Sequence, residues 1–422
     1  MARQTTAIPE HEPITGAWRK VLVCVLLTLV GFNLRSVILA VPPVLPLIQH
    51  DLRLSYAGTG LLTSLPVLVL GGTAWPSGLL AERIGARLCV SIGLALLGAG
   101  TLLRALWPAA LSLFLCTLLL SLGIALAQTA VPVLARRWFP AQIGLVAALF
   151  GDGLIIGEAV AAGITVPVMA QFLGRNAWSA TFVFWGLPVV ALLVLWLWLA
   201  PPAPTTAGAR STLLETTASI PAAQETAPPP KQPRVNALHL GILLGGGSLI
   251  YFGMNGWIPS YNQALHYTAM TPLALATLNV AQLPVSVGIT LFAQRLAGRR
   301  LPFIISGIIC TLAIVGWLLT PGNLEPLWAA LLGGSSAIVF TLGIALPPLL
   351  ARPQEVGRLT GITISLTYAV AFVGPFVGGV LWDLLHLPAA AFAPVIIASL
   401  LLIVLGARLP ALSAFGLAPK PG

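Results

Sequence analysis

Three ionisable side chains, Arg35, Asp152 and Glu158, lie inside long apolar segments of the sequence. A charged group at the centre of a bilayer costs at least about 2.5 kcal/mol on insertion scales, so it normally faces a partner or a water-filled cavity. The guanidinium of Arg35 is permanently charged and offers a planar pair of donors that suits a small anion. Arg35 could equally form a buried ion pair with an acid of the same protein. The sequence therefore predicts either solute recognition or a structural ion pair at Arg35.

The two acids are candidates for proton coupling. They lie six residues apart, so on one helix they would be about 9 Å apart along the axis and on different faces. Burial favours the neutral form of a carboxyl group and a neighbouring cation favours its charged form, so a solute that occupies Arg35 could release or capture a proton. Glu158 is the first choice because it lies deeper in its segment, beside Gly157. The alternative is that one acid only neutralises Arg35.

The composition identifies the environment that must hold these groups. The chain has 422 residues, of which 8% are charged and 58% hydrophobic, and its mean hydropathy is +0.97. Soluble domains carry about 25% charged residues, so a water-soluble globule is excluded. The formal net charge of +10 does not indicate nucleic acid binding, because the basic residues lie in short loops and not on one soluble face. We expect a polytopic membrane protein in contact with lipid.

Residue types that would support a cofactor or covalent chemistry are poorly placed. The four cysteines, Cys24, Cys89, Cys116 and Cys310, are scattered through apolar segments, and the five histidines lie at or beyond predicted helix ends. Neither set has the spacing of a metal site or a disulfide framework. A phosphate-binding loop of the G-x-x-x-x-G-K-S/T type is also missing, which argues against a carrier driven by its own ATP hydrolysis. We therefore expect no cofactor, no metal and no enzyme activity.

Runs of about 20 apolar residues, the length that crosses a bilayer core of about 30 Å, occur twelve times. The predicted spans are 21–48, 57–80, 87–106, 110–134, 142–171, 177–200, 237–264, 271–296, 301–320, 325–350, 357–384 and 389–410. Segments 1–20 and 411–422 flank them, and 201–236, which is rich in Pro, Thr and Ala, is predicted to be a flexible linker. The linker divides an all-α membrane protein into bundles 21–200 and 237–410.

The two bundles resemble internal repeats. Segments 122–126 and 342–346 both read LGIAL, at equivalent places in the two halves, and Asn33 and Asn255 are related in the same way. Parallel six-helix repeats with pseudo-symmetry are a transporter architecture. With the N-terminus inside, most of the 21 basic residues fall in inside segments, and the outside loops receive only Arg53, Arg104 and Arg175. The positive-inside rule thus predicts that both termini and the linker are cytoplasmic.

Residues 78–87 read GLLAERIGAR and resemble the loop motif G-x-L-a-D-r-x-G-r-r of the major facilitator superfamily. The resemblance implies a twelve-helix major facilitator fold and a cytoplasmic latch that holds one bundle against the other. An alternative is a loop that only satisfies the positive-inside rule. The residues implied for the latch are Gly78, Glu82, Arg83, Gly85 and Arg87, with Glu82 standing where the superfamily usually has Asp.

Further motifs are similar to the cyanate permease and nitroimidazole transporter family within that superfamily. They are GFNLR at 31–35, GLLTSLP at 60–66, QTAVP at 128–132 and WGLP at 185–188. In the superfamily, spans one, four, seven and ten line the central cavity. This implies a set of substrate-binding residues, namely Asn33, Arg35, Gln128, Tyr251, Asn255, Trp257 and Thr341. Gln128 could instead bridge two helices, and Trp257 could anchor a helix at the membrane interface.

The resemblance implies a secondary transporter in the inner (plasma) membrane. It would move a small polar or anionic solute, cyanate-like or nitro-heterocycle-like, by alternating access, with proton coupling as a hypothesis. Its expected partners are the solute, protons and lipid, without nucleic acid, and we expect a monomer. One alternative is efflux of a small neutral drug-like compound, in which case Arg35 would pair with an acid and aromatic residues would dominate the site. A membrane-embedded sensor or enzyme is the alternative from another class.

Overall fold

The computed structural model describes residues 16–173, 178–201, 236–296, 298–350 and 356–409. The tail 411–422 lies outside them, as do nearly all of the linker 201–236 and most of the segment 1–20. Within the described residues, twelve helical segments are long and apolar enough to cross a membrane. The prediction of an all-α protein with twelve spans is confirmed.

The described residues of the first half form seven α-helices. They are α1 (Ala17–Leu39), α2 (Leu45–Leu52), α3 (Tyr56–Ile84), α4 (Ala86–Leu106), α5 (Ala110–Trp138), α6 (Ile143–Val168) and α7 (Trp178–Leu199). The first predicted span is thus interrupted: α1 ends at Leu39, a short 3₁₀ turn covers Pro42–Val44, and α2 continues the path. Prolines lack the N–H that a helix interior needs, which explains the break at Pro42 and Pro43.

In the second half, the part of the chain that the structure describes forms eight α-helices. They are α8 (Ala237–Ala264), α9 (Thr271–Val280), α10 (Gln282–Leu296), α11 (Leu301–Leu319), α12 (Glu325–Ile344), α13 (Leu346–Leu350), α14 (Val356–Leu385) and α15 (Ala393–Ala407). The eighth predicted span is divided between α9 and α10 at Ala281. Pro284 cannot donate to the carbonyl of Val280, and its ring would clash with that carbonyl in a continuous helix.

Each half has its own buried apolar core. In the first half, the core includes Val30, Leu94 and Leu120, and in the second half Ile258, Leu278 and Val339. The halves meet mainly where α3 packs on α14 and where α6 packs on α9. We call the side where α1 begins the near face and the side where α1 ends the far face.

The two halves are joined tightly at the far face. Asp383, at the end of α14, accepts hydrogen bonds from the backbone N–H groups of Tyr56 (2.9 Å) and Ala57 (2.8 Å), at the start of α3. The ring of Tyr56 stacks on Trp382 with centroids 4.0 Å apart. Gly379 faces the backbone of Tyr56 so closely that any side chain would overlap it. Small residues such as Gly379 permit this close approach between membrane helices. The contacts of α14 with the start of α3 thus close the two halves against each other at the far face.

Candidate functional site

The site is centred on an ion pair between the first and fifth spans. Arg35 on α1 is 7% exposed and Glu158 on α6 is 5% exposed, and Arg35 Nε lies 3.5 Å from Glu158 Oε1. The two helices approach closely because Gly157 packs directly against the backbone of Phe32. This close packing brings the next residue, Glu158, to the level of Arg35.

The ion pair leaves part of the guanidinium unused. Neither Nε nor Nη1 of Arg35 has a hydrogen-bond partner among the described residues, so the contact with Glu158 is a charge contact without hydrogen-bond geometry. Carboxylates that bind arginine strongly do so through two parallel hydrogen bonds. Arg35 therefore retains donors for another group.

Side chains of the second half complete the surroundings of the pair. Tyr251 on α8 and Gln282 on α10 lie near the carboxyl group of Glu158, and Tyr368 on α14 lies near Arg35. The pair formed by two helices of the first half thus lies at the junction with the second half. Movement of one half relative to the other would change these contacts.

A buried amide network fixes Tyr251. Its hydroxyl donates to Asn279 Oδ1 (2.5 Å), and Asn279 Nδ2 donates to Asn255 Oδ1 (3.0 Å). Asn255 Nδ2 in turn donates to the backbone oxygen of Tyr251 (3.0 Å). Because all three residues are buried, the loss of one partner would leave a polar group unsatisfied. The network orients Tyr251 toward Glu158.

A cavity of about 310 Å³ lies beside Arg35, in the part of the bundle nearer the near face. Its polar lining is formed by Arg35, Gln128, Thr129, Thr367 and Tyr368, and most of the remaining lining is apolar. The Oε1 atom of Gln128 has no hydrogen-bond partner among the described residues. Two of the residues that line the cavity, Arg35 and Gln128, thus carry polar atoms without a partner among the described residues.

Of the residues nominated for substrate binding, only Arg35 and Gln128 line this cavity. Tyr251 and Asn255 are in the adjoining network, whereas Asn33 is buried with its Nδ2 donating to the backbone oxygen of Leu29. Thr341 follows the lining residue Phe340 without lining the cavity itself. Trp257 lies away from this cavity and packs with Tyr56 and Trp382 near the far face.

Sequence reasoning missed Gln282, Tyr368 and Asn279. All three are polar residues well inside apolar spans, but they lie outside spans one, four, seven and ten, from which the substrate-binding residues were nominated. The sequence does not show which side of a membrane helix faces the centre, so these residues could not be separated from polar residues that bond only to their own helix. Thr277 is an example of the latter, because its hydroxyl donates to the backbone oxygen of Leu273.

Asp152 is half-buried on α6 and forms no ion pair within the described part of the chain. The described residues also contain no group of three or more His, Cys, Asp or Glu side chains that could hold a metal ion. Glu158 is thus the acid that the structure brings to Arg35. Its role in proton coupling stays a prediction.

The latch residues lie at the near face without joining the two halves. Glu82 and Arg83 are exposed at the end of α3, and Glu82 forms no ion pair with any described residue. Gly85 makes the turn into α4 with a φ of +91°, and Arg87 Nη2 donates to Leu197 O (3.0 Å) in the same half. A latch that holds the near face closed would be released in a conformation whose cavity lies toward that face. The role of these residues as a latch therefore stays a prediction.

Comparison with known proteins gives consistent matches over most of the chain. The family model of the Major Facilitator Superfamily matches residues 21–375. An uncharacterized transporter, YycB of Bacillus subtilis (strain 168), is 28% identical over 387 residues, which cover 90% of each chain. The cyanate transport protein CynX of Escherichia coli (strain K12) is 28% identical over 84% of this chain and 88% of its own. The 2-nitroimidazole transporter of the same organism is 27% identical over 88% and 90%.

Solved structures show the same fold. A bacterial homolog of the human lysosomal transporter Spinster, inward-facing and unoccupied, has a TM-score of 0.72 at 12% identity and covers 97% of this chain and 100% of its own. A D-xylose–proton symporter has a TM-score of 0.70 at 14% identity, with 94% and 97% covered. The family model spans more than half of the chain, and the described residues have the expected twelve membrane-length helices. The chain therefore belongs to the major facilitator superfamily of transporters, and it is similar to a cyanate and a nitroimidazole transporter.

Proposed function

We propose that this chain is a secondary transporter that carries a small anionic or electron-rich solute past Arg35. The observation that carries the proposal is the incomplete pairing of Arg35: its guanidinium lines a cavity, contacts Glu158 without a hydrogen bond, and has an unpartnered Nη1. A guanidinium that only had to be neutralised would gain most from two hydrogen bonds to the carboxylate. The free donors support a second, exchangeable partner.

Proton coupling follows from competition for Arg35. A solute that accepts hydrogen bonds from the guanidinium would draw it away from Glu158, and a buried carboxylate without its cation favours the protonated form. Solute and proton would then bind together and leave together. Tyr251 and Gln282, which lie near Glu158 in the second half, would link its protonation to the relative position of the halves.

The size of the cavity supports a small solute. A volume of about 310 Å³ lies at the lower end of the range of about 300 to 1,000 Å³ for ligand pockets. A linear anion of the cyanate type or a single nitro-substituted ring would fit. Two relatives at 27–28% identity are named for cyanate and 2-nitroimidazole, which supports these solute classes for this chain.

Alternating access would occur between bundles 21–200 and 237–410, joined by the linker 201–236. The tight contact of Asp383 with Tyr56 and Ala57 closes the far face, whereas the cavity lies toward the near face. If the near face is cytoplasmic, as the basic residues indicate, this is an inward-facing conformation. We further propose that the protein is a monomer in the plasma membrane and that both of its termini are cytoplasmic.

A second candidate is efflux of a small neutral drug-like compound. One observation favours it: Arg35 already has an acidic neighbour in Glu158, and most of the cavity lining is apolar. Under this alternative, the ion pair would be structural and the solute would contact the apolar lining.

The proposal is tested by transport into proteoliposomes that contain the full chain. Radiolabelled cyanate and 2-nitroimidazole would be offered with and without an imposed proton gradient, and empty liposomes would control for diffusion. We expect saturable uptake of at least one of these solutes. Movement of neutral hydrophobic compounds alone, without competition by small anions, would support the efflux candidate instead.

A further inference from the structure

A second buried guanidinium lies closer to the far face than Arg35. Arg104 falls at the end of the predicted span 87–106 and is counted with the outside loops. The structure places it in the last turn of α4, where it is 2% exposed, so it is a buried helix residue and not an exposed loop charge. The positive-inside count sorts charges by sequence position alone and does not detect that the end of a helix is covered by its neighbours.

Arg104 lacks an acidic partner. Its Nη2 atom donates to Thr117 Oγ1 (2.5 Å), and its guanidinium lies 5.3 Å from the ring centroid of Phe182. Its Nε and Nη1 atoms have no hydrogen-bond partner, and no carboxylate among the described residues comes within ion-pair distance. The carbonyl end of α4 offers about half an elementary charge in compensation. The guanidinium cannot lose its proton, so a full negative charge is still missing.

Arg104 lines a small cavity that both halves share. Arg104 and Thr63 line it from the first half, and Phe252, Asn255 and Gly256 line it from α8 in the second half. Its volume of about 20 Å³ is enough for one water molecule or an ion of similar size. Asn255 belongs to the amide network around Tyr251, so this network borders the small cavity.

We propose that Arg104 binds a small monovalent anion, such as a halide, in this cavity between the two halves. The geometry supplies a permanent charge, two guanidinium nitrogens with unused N–H groups and a space of the right size, while Phe182 and Thr117 hold the guanidinium in place. Because α8 forms one wall, separation of the halves at the far face would open the site. The inference goes beyond the proposed function, since it requires neither that Arg35 binds solute nor that Glu158 takes up protons.

Bromide tests the proposal because it is a halide with a usable anomalous signal. The melting temperature of the purified full-length protein would be titrated with sodium bromide against sodium gluconate at constant ionic strength. Binding to the folded state raises the melting temperature in a saturable way. We expect such a rise for the wild type and for Arg35→Gln, and a half-saturating bromide concentration at least about tenfold higher for Arg104→Gln, which loses the charge-assisted contact. Arg53→Gln is the matched control, since Arg53 is an exposed arginine near the far face.

Equal bromide stabilisation of the wild type and Arg104→Gln would overturn the proposal. If Arg104→Gln does not fold, anomalous diffraction from wild-type crystals in bromide decides the question. A bromide peak within hydrogen-bonding reach of Arg104 Nε or Nη1 supports the site, and its absence shows that Arg104 is a structural cation. Because these are binding measurements, failure of solute transport would leave their outcome unchanged.

Discussion

Arg35 Nε lies 3.5 Å from Glu158 Oε1, and both side chains are buried at the junction of the two halves. The sequence predicted either such an ion pair or solute recognition at Arg35. The ion pair does not exclude solute recognition by Arg35, because Nη1 of this residue has no partner among the described residues and Arg35 lines a cavity. A solute that accepts hydrogen bonds from Arg35 would therefore compete with Glu158 for the guanidinium, and substitutions of the two residues separate a structural ion pair from solute recognition.

Substitution of Arg35 by Lys should reduce solute uptake by about tenfold or more, because one hydrogen bond to a charged group is worth about 1.5–3 kcal/mol. Lys keeps the charge but loses the planar fork. Initial uptake rates in proteoliposomes measure the effect, with Arg53→Lys as the exposed control. Normal transport by Arg35→Lys would reject recognition through the fork in favour of a simple charge.

The hydroxyl group of Tyr251 should be important for stability and transport. Tyr251→Phe removes the donor to Asn279 Oδ1, and an unsatisfied buried acceptor costs about 1–3 kcal/mol. The melting temperature and the uptake rate should both fall. Tyr261→Phe is a matched control on the same helix, because Tyr261 is also buried and its hydroxyl has no hydrogen bond within the described residues. Equal effects of the two substitutions would contradict a specific role for the Tyr251 network.

The carboxylate of Asp383 should stabilise closure of the far face. Asp383→Asn leaves only one oxygen for the two N–H groups at the start of α3 and removes the negative charge that favours a helix N-terminus. A cysteine at Thr63, which lines the small cavity, should then react faster with a thiol reagent. Asp51→Asn is the control, because Asp51 accepts a hydrogen bond from Trp178 within one half. An unchanged labelling rate in Asp383→Asn would show that the closure does not depend on this contact.

The distribution of basic residues predicts that the linker is cytoplasmic. A cysteine introduced at Ser211 should react with a membrane-impermeant thiol reagent only after the cells are permeabilised. A cysteine at Leu106, which is exposed at the far face, should react in intact cells. Labelling of the Ser211 position in intact cells would invert the proposed topology.

The sequence predicted the number and positions of the spans because membrane helices have a fixed length and a continuous apolar composition. It also selected Arg35 and Glu158, since charged residues in such segments are rare. It did not predict that Gln282 and Tyr368 join them, because the inward side of a membrane helix is set by packing against its neighbours. The same limit explains why Arg104 was assigned to a loop and why Trp257 lies away from the cavity.

Proton-dependent transport by Glu158→Gln tests the central claim most directly. The glutamine has nearly the shape of the glutamate but cannot exchange a proton, and exchange of solute for solute needs no net proton movement. We predict that Glu158→Gln loses the response of uptake to an imposed pH gradient and retains counterflow, whereas Asp152→Asn retains both. Accumulation of solute by Glu158→Gln along a proton gradient would contradict the account, because Arg35 and Glu158 could not then be the coupled pair.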